Sequence, residues 1–202
     1  MRLVKKFKDI GLISSFSCLR KTLYLFYLQR RYGFNRWHVG ADYHCKPYKK
    51  QVINIITSMS NIKFDIEVGC GLGDILSRVK VQDKIGIDIE QNVINCAKAL
   101  LPNLLFQKGD LNAVGNYIGN KEGVVLIAIN WTHNVDFKDL INVFLQIINQ
   151  DSVNCYVVVD AIKPNVKGYK YKHSISEYGN YFNVSTIDGV DGVRSFLTLS
   201  KL

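Results

Sequence analysis

A glycine-rich turn follows the first buried strand that the sequence predicts. The run Phe64-Asp-Ile-Glu-Val-Gly-Cys-Gly-Leu-Gly-Asp74 passes from an apolar strand into a turn of the form G-x-G-x-G, and a helix is predicted after it. Glycines let a backbone turn sharply and let a ligand approach the main chain closely. The spacing differs from the G-x-G-x-x-G of nicotinamide-binding domains. The turn therefore indicates a ligand-binding loop of another kind, in which we interpret Cys70 as a buried, inert thiol.

Acidic residues stand at three points around predicted strand ends. Glu67 lies two residues before Gly69, Asp88 ends the second strand, and Asp110 follows the third. Asp88 comes 17 residues after Gly71, close to the offset at which nucleotide-binding folds place the acid that meets ribose hydroxyls. The carboxyl ends of parallel strands share one sheet edge, so these acids are predicted to surround one site.

The elements that would position this site alternate between strand and helix. Strands are predicted at 64–68, 85–89, 104–107, 124–130, 156–161, 181–187 and 193–200, and helices at 1–32, 47–59, 73–81, 91–101 and 137–149. Such alternation implies right-handed crossovers, and a Gly/Asp linker before the last strand makes that strand antiparallel. We predict a seven-stranded, mostly parallel α/β sheet with helices on both faces. Residues 1–44 form a basic helical extension and lid, and 45–202 the main domain, with 163–180 mostly loop.

The charge and the cysteines restrict the class of protein. Residues 1–50 hold 12 Lys/Arg and 2 Asp/Glu, whereas 51–202 hold 14 and 15, so the net charge of +9 comes entirely from the N-terminal quarter. The five cysteines are odd in number and widely spaced, and indicate neither a disulfide framework nor a metal site. Reduced thiols in a cytoplasm fit this pattern. We expect no signal peptide and no membrane-spanning segment.

Over residues 45–202 the sequence resembles the class I S-adenosylmethionine-dependent methyltransferases, which have a Rossmann-like fold. The resemblance rests on the acid-x-G-x-G-x-G turn and on the acids that end the second and third strands. It implies that the cofactor S-adenosylmethionine is bound at matching positions: the methionine moiety by Glu67, Gly69, Cys70, Gly71 and Gly73, the ribose by Asp88, and the adenine by Ile89, Asp110 and Leu111.

The segment after the fourth strand, Ile129-Asn-Trp-Thr-His-Asn-Val135, lines the methyl-transfer pocket if the resemblance holds. Asn130 would contact the amino-acid group of the cofactor, and Trp131 the acceptor. His133 is the candidate general base, because an unperturbed imidazole titrates near neutral pH. The alternative is that His133 only hydrogen-bonds within the loop.

An aromatic segment precedes the first strand. In the family this part of the chain folds over the cofactor, so Trp37, His38, Tyr43 and Tyr48 are candidates for the substrate mouth. The alternative is a packed hinge between the N-terminal helix and the main domain.

A second, narrower resemblance over residues 30–75 is to methyltransferases associated with bacterial surface-polysaccharide synthesis. With His133, the basic N-terminus and the absence of an inserted cap domain, it favours O-methylation of a glycan or of a phosphorylated or lipid-linked carbohydrate. Methylation of a small metabolite or of a nitrogen atom, and a non-catalytic cofactor-binding subunit, are the alternatives. Nucleic acid is an unlikely substrate, since Asn130-Trp-Thr-His replaces the Asn/Asp-Pro-Pro-Tyr signature of many amino-group methylating enzymes.

The N-terminal helix has an apolar stripe with a four-and-three spacing, formed by Leu12, Phe16, Leu19, Leu23 and Phe26. Positive charge accompanies it, at Lys5, Lys6, Lys8, Arg20, Lys21, Arg30 and Arg31. A basic amphipathic helix over 1–32 can lie at an anionic membrane surface, here the inner face of the cell membrane. Alternatively the stripe packs on the main domain or on a second subunit of a homodimer.

Overall fold

The computed structural model describes residues 12–119, 121–149 and 154–202. Seven strands form one sheet in the order β3-β2-β1-β4-β5-β7-β6. Their bounds are β1 Phe64–Val68, β2 Asp83–Asp88, β3 Leu105–Lys108, β4 Val124–Ala128, β5 Tyr156–Ile162, β6 Asn183–Asp188 and β7 Arg194–Ser200. The first five strands pair in parallel, and β7 pairs antiparallel with both β5 and β6. The predicted seven-stranded, mostly parallel sheet is confirmed.

Two helices precede the first strand, and the other described helices lie between strands. They are α1 Leu12–Tyr32, α2 Pro47–Thr57, α3 Gln91–Leu100, α4 Gly115–Ile118, α5 Phe137–Ile148 and α6 Ile175–Gly179. Short 3-10 helices occupy Arg36–Gly40, Tyr43–Cys45, Leu111–Val114 and Thr132–Asn134. The first eleven residues of the predicted helix at 1–32 lie outside the described residues. The stretch 163–180 is mostly loop, as predicted, and contains only α6.

Helices cover both faces of the sheet. On one face, the α5 side chains Leu140, Phe144 and Ile147 pack with Ile66 and Leu126 in the largest buried cluster. On the other face, Val52, Ile55 and Ile56 of α2 pack against alternate residues of β4. Since β1 and β4 are buried along their whole length, they read as continuous apolar strands apart from two acids.

The sheet register brings the functional loops together. Val68, the last residue of β1, pairs with Ile87 of β2 on one side and with Ala128 of β4 on the other. The glycine-rich turn, Asp88 and the segment after β4 therefore leave the sheet at the same edge. This is the edge at which open α/β sheets bind ligands.

The helix predicted at 73–81 is instead a series of turns. Ser77 and Val79 make helix-like bonds to the carbonyls four residues earlier. The N–H of Leu76, however, donates to the carboxylate of Glu67 at 3.0 Å. This buried acid thus takes a donor that a regular helix would use internally, and the sequence pattern did not reveal the competition.

The expectation that all the thiols are reduced is wrong for two of them. Cys18 of α1 and Cys45, at the end of a 3-10 helix, form a disulfide with their Cα atoms 5.1 Å apart. The other three cysteines are free and buried. The pairing depends on how α1 packs against residues 43–45, so the separation of 27 residues in the sequence gave no sign of it.

Within the part of the chain that the structure describes, no helix is long and apolar enough to cross a membrane.

Candidate functional site

A cavity of about 1290 Å³ opens at the carboxyl edge of the sheet. Most of the predicted site residues line it together: Glu67, Gly69, Cys70, Gly71, Asp88, Ile89, Asp110, Leu111, Asn130, Trp131, Trp37, His38 and Tyr48. Gly73, Tyr43 and His133 are not among the described residues of its wall. A typical small-ligand pocket measures roughly 300–1,000 Å³, so this cavity has room for a cofactor and part of a second ligand.

The glycine-rich turn forms the floor of the cavity in a backbone conformation that favours glycine. Gly69 and Gly71 have φ values of 68° and 54°. A Cβ on Gly69 would collide with the indole of Trp131, and one on Gly71 would come 3.3 Å from His38 Nδ1. The absence of a side chain at these two positions lets Trp131 and His38 pack closely against the main chain of the turn. Gly73 instead makes room for the ring of Phe106 behind the turn.

Asp88 ties the end of β2 to this turn. Its Oδ2 accepts from the Gly71 N–H at 2.9 Å and its Oδ1 from the Glu90 N–H at 3.0 Å. Burial raises the pKa of Asp88, against the lowering effect of these backbone donors. A carboxylate has about four acceptor positions, so Asp88 keeps acceptor capacity toward the cavity that it lines.

The adenine-binding positions implied by the resemblance flank this acid. Ile89 is 73% exposed and presents an apolar side chain to the cavity. Leu111 is buried at the start of a 3-10 helix, and Asp110 caps that helix by accepting from the Asn112 N–H at 2.9 Å. Two apolar side chains and an acceptor thus surround a space suited to a flat heterocycle with an amino group.

Lys49 and Asp74 form a pair beside the turn that the sequence reasoning missed. Lys49 Nζ lies 3.0 Å from Asp74 Oδ2, and both residues line the cavity. Burial lowers the pKa of Lys49, but Asp74, Tyr48 and Glu67 together outweigh this effect and leave the pKa raised. The lysine therefore stays charged near Glu67, whose pKa burial and Asp65 raise. Lys49 is the candidate partner for a ligand carboxylate at this end.

A buried ionic network behind Asn130 was also missed. Arg194 of β7 contacts Asp160 Oδ2 at 2.6 Å and donates to Asn130 Oδ1 at 3.0 Å, and the Asn130 N–H donates to Asp160 Oδ1 at 2.9 Å. Asn130 has a left-handed φ of 70°. The network thus fixes a backbone conformation that is uncommon for a non-glycine residue at the cavity wall. The contacts join residues 64 positions apart, which no local motif signals.

Trp131 lies on the cavity wall and His133 behind it. The indole N–H of Trp131 donates to the Val68 carbonyl at 2.6 Å, which holds the ring over the glycine-rich turn. The His133 ring packs edge-on against Tyr169, 4.7 Å between centroids, and its Nδ1 is buried without a hydrogen-bond partner in the described structure. Burial lowers the pKa of His133.

The aromatic segment covers one side of the cavity. Trp37 stacks on His38 with centroids 3.6 Å apart, and both line the wall. His38 Nε2 is 3.4 Å from Glu90 Oε2, but burial, helped by Lys49, lowers the pKa of His38 to about 4. The ring is therefore neutral at pH 7 and the contact is not an ion pair. Tyr43 lies outside the cavity, with Arg78 4.2 Å above its ring.

The far wall is formed by polar side chains around α5. Asp139, Asn142 and Gln146 follow a three-and-four spacing on one helix face, and Asn134 precedes them in the chain. All four line the cavity and are exposed to it, and none of them has a side-chain hydrogen bond within the described structure. The opposite face of α5 is buried and apolar. Donors and acceptors without protein partners are thus concentrated at this end.

The described wall of the cavity is rich in acidic residues, although the chain as a whole is basic. Among the described residues, its wall contains the acidic side chains Asp42, Glu67, Asp74, Asp88, Asp110 and Asp139 and the basic side chains Lys21, Lys49 and Arg78. Acidic side chains thus outnumber basic ones, six to three, on the described wall of a cavity in a protein of net charge +9. The basic N-terminal quarter therefore does not make the site attractive to anions.

Several solved structures with a similar fold are methyltransferases. The N-methyltransferase NodS from Bradyrhizobium japonicum, solved with S-adenosyl-L-homocysteine, matches with a TM-score of 0.66 at 10% identity, over 86% of this chain and 96% of that one. The magnesium protoporphyrin IX methyltransferase from Synechocystis, solved with S-adenosylmethionine, matches with a TM-score of 0.59 at 12% identity, over 88% and 91%. An O-methyltransferase family protein from Burkholderia thailandensis matches with a TM-score of 0.58 at 11% identity.

The coverage differs among these proteins. This chain is matched over 76% of its length by the Burkholderia protein but spans only 56% of that protein. No protein-family model matches the sequence, and comparison with curated protein sequences gave no significant match. The structural likeness shows that the chain has the Rossmann-like fold of the class I methyltransferases.

Proposed function

We propose that the protein is an S-adenosylmethionine-dependent methyltransferase. The observation that carries the proposal is that the glycine-rich turn, Asp88 and Asp110, at three successive strand ends of this fold, line one cavity together. When bound, S-adenosylmethionine supplies a methyl group activated by a positively charged sulfur. The excess of acidic side chains on the described wall suits that cation, and Gly69 and Gly71 of the glycine-rich turn line the same cavity.

The residues fit the parts of this cofactor. Asp88 retains acceptor positions for ribose hydroxyls, and Ile89 lies at the space that suits the adenine. Lys49 would pair with the carboxylate of the methionine moiety, while Glu67 and Asn130 would face its amine. The protein's contribution to the chemistry is then alignment of donor and acceptor and exclusion of water, which can supply much of the rate of a displacement reaction.

For the acceptor we favour a hydroxyl group of a carbohydrate. The polar far wall formed by Asn134, Asp139, Asn142 and Gln146 offers amide and carboxylate groups that can bind neighbouring hydroxyls, and Trp131 offers an apolar ring surface beside them. A neutral sugar meets no electrostatic penalty in a negative cavity, whereas a phosphate or a nucleic acid does. A lipid-linked or phosphorylated glycan would therefore place only its neutral sugar inside.

Incubation with S-adenosylmethionine and neutral oligosaccharides, sugar phosphates and amines tests this choice. We expect the mass of a neutral saccharide to increase by one methylene, with release of S-adenosylhomocysteine. Asn142→Ala and Gln146→Ala should each lower kcat/KM roughly threefold to tenfold, the effect of losing one hydrogen bond. Lys138→Ala, outside the cavity on the same helix, is the matched control. Methylation of amines alone would favour the N-methyltransferase alternative, and cofactor binding without any turnover would favour a non-catalytic subunit.

The proton acceptor is the second point to test. His133 remains the base that the sequence predicts, but Asp139 is the cavity-lining carboxylate on the polar far wall. If His133 is the base, His133→Ala lowers kcat roughly 10²- to 10⁴-fold and leaves the affinity for the cofactor unchanged. If the large loss appears in Asp139→Asn instead, the ring of His133 is a packing partner of Tyr169 and not the base.

We place the enzyme in the cytoplasm, at the inner face of the membrane, as part of the same proposal. The disulfide between Cys18 and Cys45 removes the cysteine argument for that compartment. The support that remains is the basic helix α1, whose surface could hold the active site close to a lipid-linked acceptor.

A further inference from the structure

Helix α1 presents the apolar stripe predicted from the sequence to solvent. Phe16, Leu19 and Leu23 are 75%, 59% and 63% exposed, and Tyr27 and Phe26 extend the same surface. The side chain of Leu12 lies outside those that the structure describes. We call the surface formed by Phe16, Leu19, Leu23, Phe26 and Tyr27 the outer face of α1. A run of adjacent exposed large apolar side chains marks an interaction surface rather than ordinary protein surface.

The contacts with the main domain are made by the opposite side of the helix. Cys18, Leu25 and Leu28 are buried there, and the last two pack in a cluster with Phe34 and Val93. The disulfide to Cys45 fastens the same side. The alternative in which the stripe packs on the catalytic domain is therefore wrong for the described part of the helix, because other residues already fill that contact.

The positive charge around the outer face of α1 favours an anionic partner. Residues 10–41 contain five cations, Arg20, Lys21, Arg30, Arg31 and Arg36, and no Asp or Glu. Arg20, Arg30 and Arg31 are exposed on α1, and Arg36 lies 5.5 Å from the ring of Phe26. A symmetric dimer through this face would bring the same cations together, whereas an anionic lipid surface neutralises them while the apolar side chains enter the interface.

We infer that the outer face of α1 is a docking surface for an anionic lipid bilayer. Lys21 and Leu25, on the inner side of the same helix, line the cavity. A helix with its side chains is about 10 Å across, so the bilayer would lie one helix width from the active site. The placement of the active site near the bilayer rests on the proposed function, because only a lipid-linked acceptor gives it a purpose. The docking of α1 on the bilayer does not depend on that function.

Flotation of the full chain with vesicles tests the docking directly, with neither donor nor acceptor present. We expect the protein to float with phosphatidylcholine vesicles that contain phosphatidylglycerol and not with phosphatidylcholine alone, and recovery to fall as salt is raised, since salt screens exposed charges. A double variant, Leu19→Gln with Leu23→Gln, should abolish flotation. Arg20→Gln with Arg30→Gln should weaken vesicle partitioning about thirtyfold, at about fivefold for each basic residue.

Matched controls separate docking from damage to the fold. Ile187→Gln with Val190→Gln removes two exposed apolar side chains at the far edge of the sheet and should leave flotation unchanged. Circular dichroism verifies that every variant is folded. Flotation that is absent, or that the α1 variants do not alter, overturns the inference. A dimer in sedimentation that Leu19→Gln with Leu23→Gln dissociates would assign the face to a second copy instead. Flotation does not depend on methyl transfer. A negative methylation assay would therefore contradict the proposed methyltransferase activity but not the docking of α1 on the bilayer.

Discussion

The buried network of Arg194, Asp160 and Asn130 makes a quantitative prediction about stability. Arg194 is 4% exposed and Asp160 is 2% exposed, and their closest atoms are 2.6 Å apart. Arg194→Met keeps a long apolar side chain but leaves the Asp160 carboxylate buried without its cation. Breaking a buried pair in this way costs about 3–5 kcal/mol. We therefore expect the free energy of unfolding to fall by that amount at pH 7.

The double variant Arg194→Met with Asp160→Asn tests the cause of that loss. The amide carries no charge and its oxygen can still accept from the Asn130 N–H, so the double variant should recover at least about 2 kcal/mol relative to the single one. Arg194→Lys should be intermediate, because an ammonium cannot replace the planar fork that meets Asp160, Asn130 and Asp191 together. Urea unfolding followed by circular dichroism measures all three.

The same variants connect the network with the site. Without Arg194 the Asn130 side chain loses its donor, so the folded Arg194→Lys protein should bind S-adenosylhomocysteine more weakly than the wild type in calorimetry. The single variant Asp160→Asn completes the cycle. A loss in Arg194→Met of less than about 1 kcal/mol, or losses in Arg194→Met and Asp160→Asn that simply add up to the loss in the double variant, would refute this coupling.

Two further predictions concern β1 and the turn after it. Asp65 is buried without a hydrogen-bond partner for either oxygen in the described structure, and burial raises its pKa to about 8. In the unfolded chain the same carboxyl ionises near pH 4. The contribution of Asp65 to the free energy of unfolding is therefore greatest below pH 4 and is lost as the pH rises to about 8. Asp65→Asn should remove that dependence in denaturant titrations from pH 4 to 9 and exceed wild-type stability at pH 8 by up to about 5 kcal/mol, and a parallel pH profile of the two proteins would contradict it. Gly69→Ala should lower Tm and abolish cofactor binding, because its φ is 68° and a Cβ would enter the indole of Trp131. Gly115→Ala, which has open space around it, should do neither, and equal effects of the two alanines would refute the close approach at Gly69.

The sequence allowed the sheet and its binding edge to be predicted because both depend on local signals. Apolar runs alternating with helical periods specify a parallel sheet, and glycines and acids at strand ends must meet at one edge. The sequence alone therefore predicts that Asp88 and Asp110 lie at one site. The resemblance to methyltransferases added the expected partner of each residue, which the pattern alone does not contain.

The remaining features depend on contacts between distant residues. Glu67 interrupts the helix predicted after it because its carboxylate reaches Leu76 across the turn. Nothing near His133 in the sequence shows that its ring meets Tyr169 and not the cavity. Helix α1 has apolar residues on both its buried and its exposed side. The periodicity therefore predicts an apolar stripe but does not show which side of the helix packs against the domain.

Calorimetric titration with S-adenosylhomocysteine tests most directly whether this edge of the sheet is a methyltransferase cofactor site. The wild-type chain should bind one equivalent, and Asp88→Asn should bind about tenfold to hundredfold more weakly, because it loses charge-assisted bonds to ribose worth roughly 1.5–3 kcal/mol. Asp83→Asn, at the exposed start of the same strand, is the control and should bind like the wild type. A wild-type chain that binds no S-adenosylhomocysteine, or a folded Asp88→Asn variant with wild-type affinity, would contradict the proposed cofactor site.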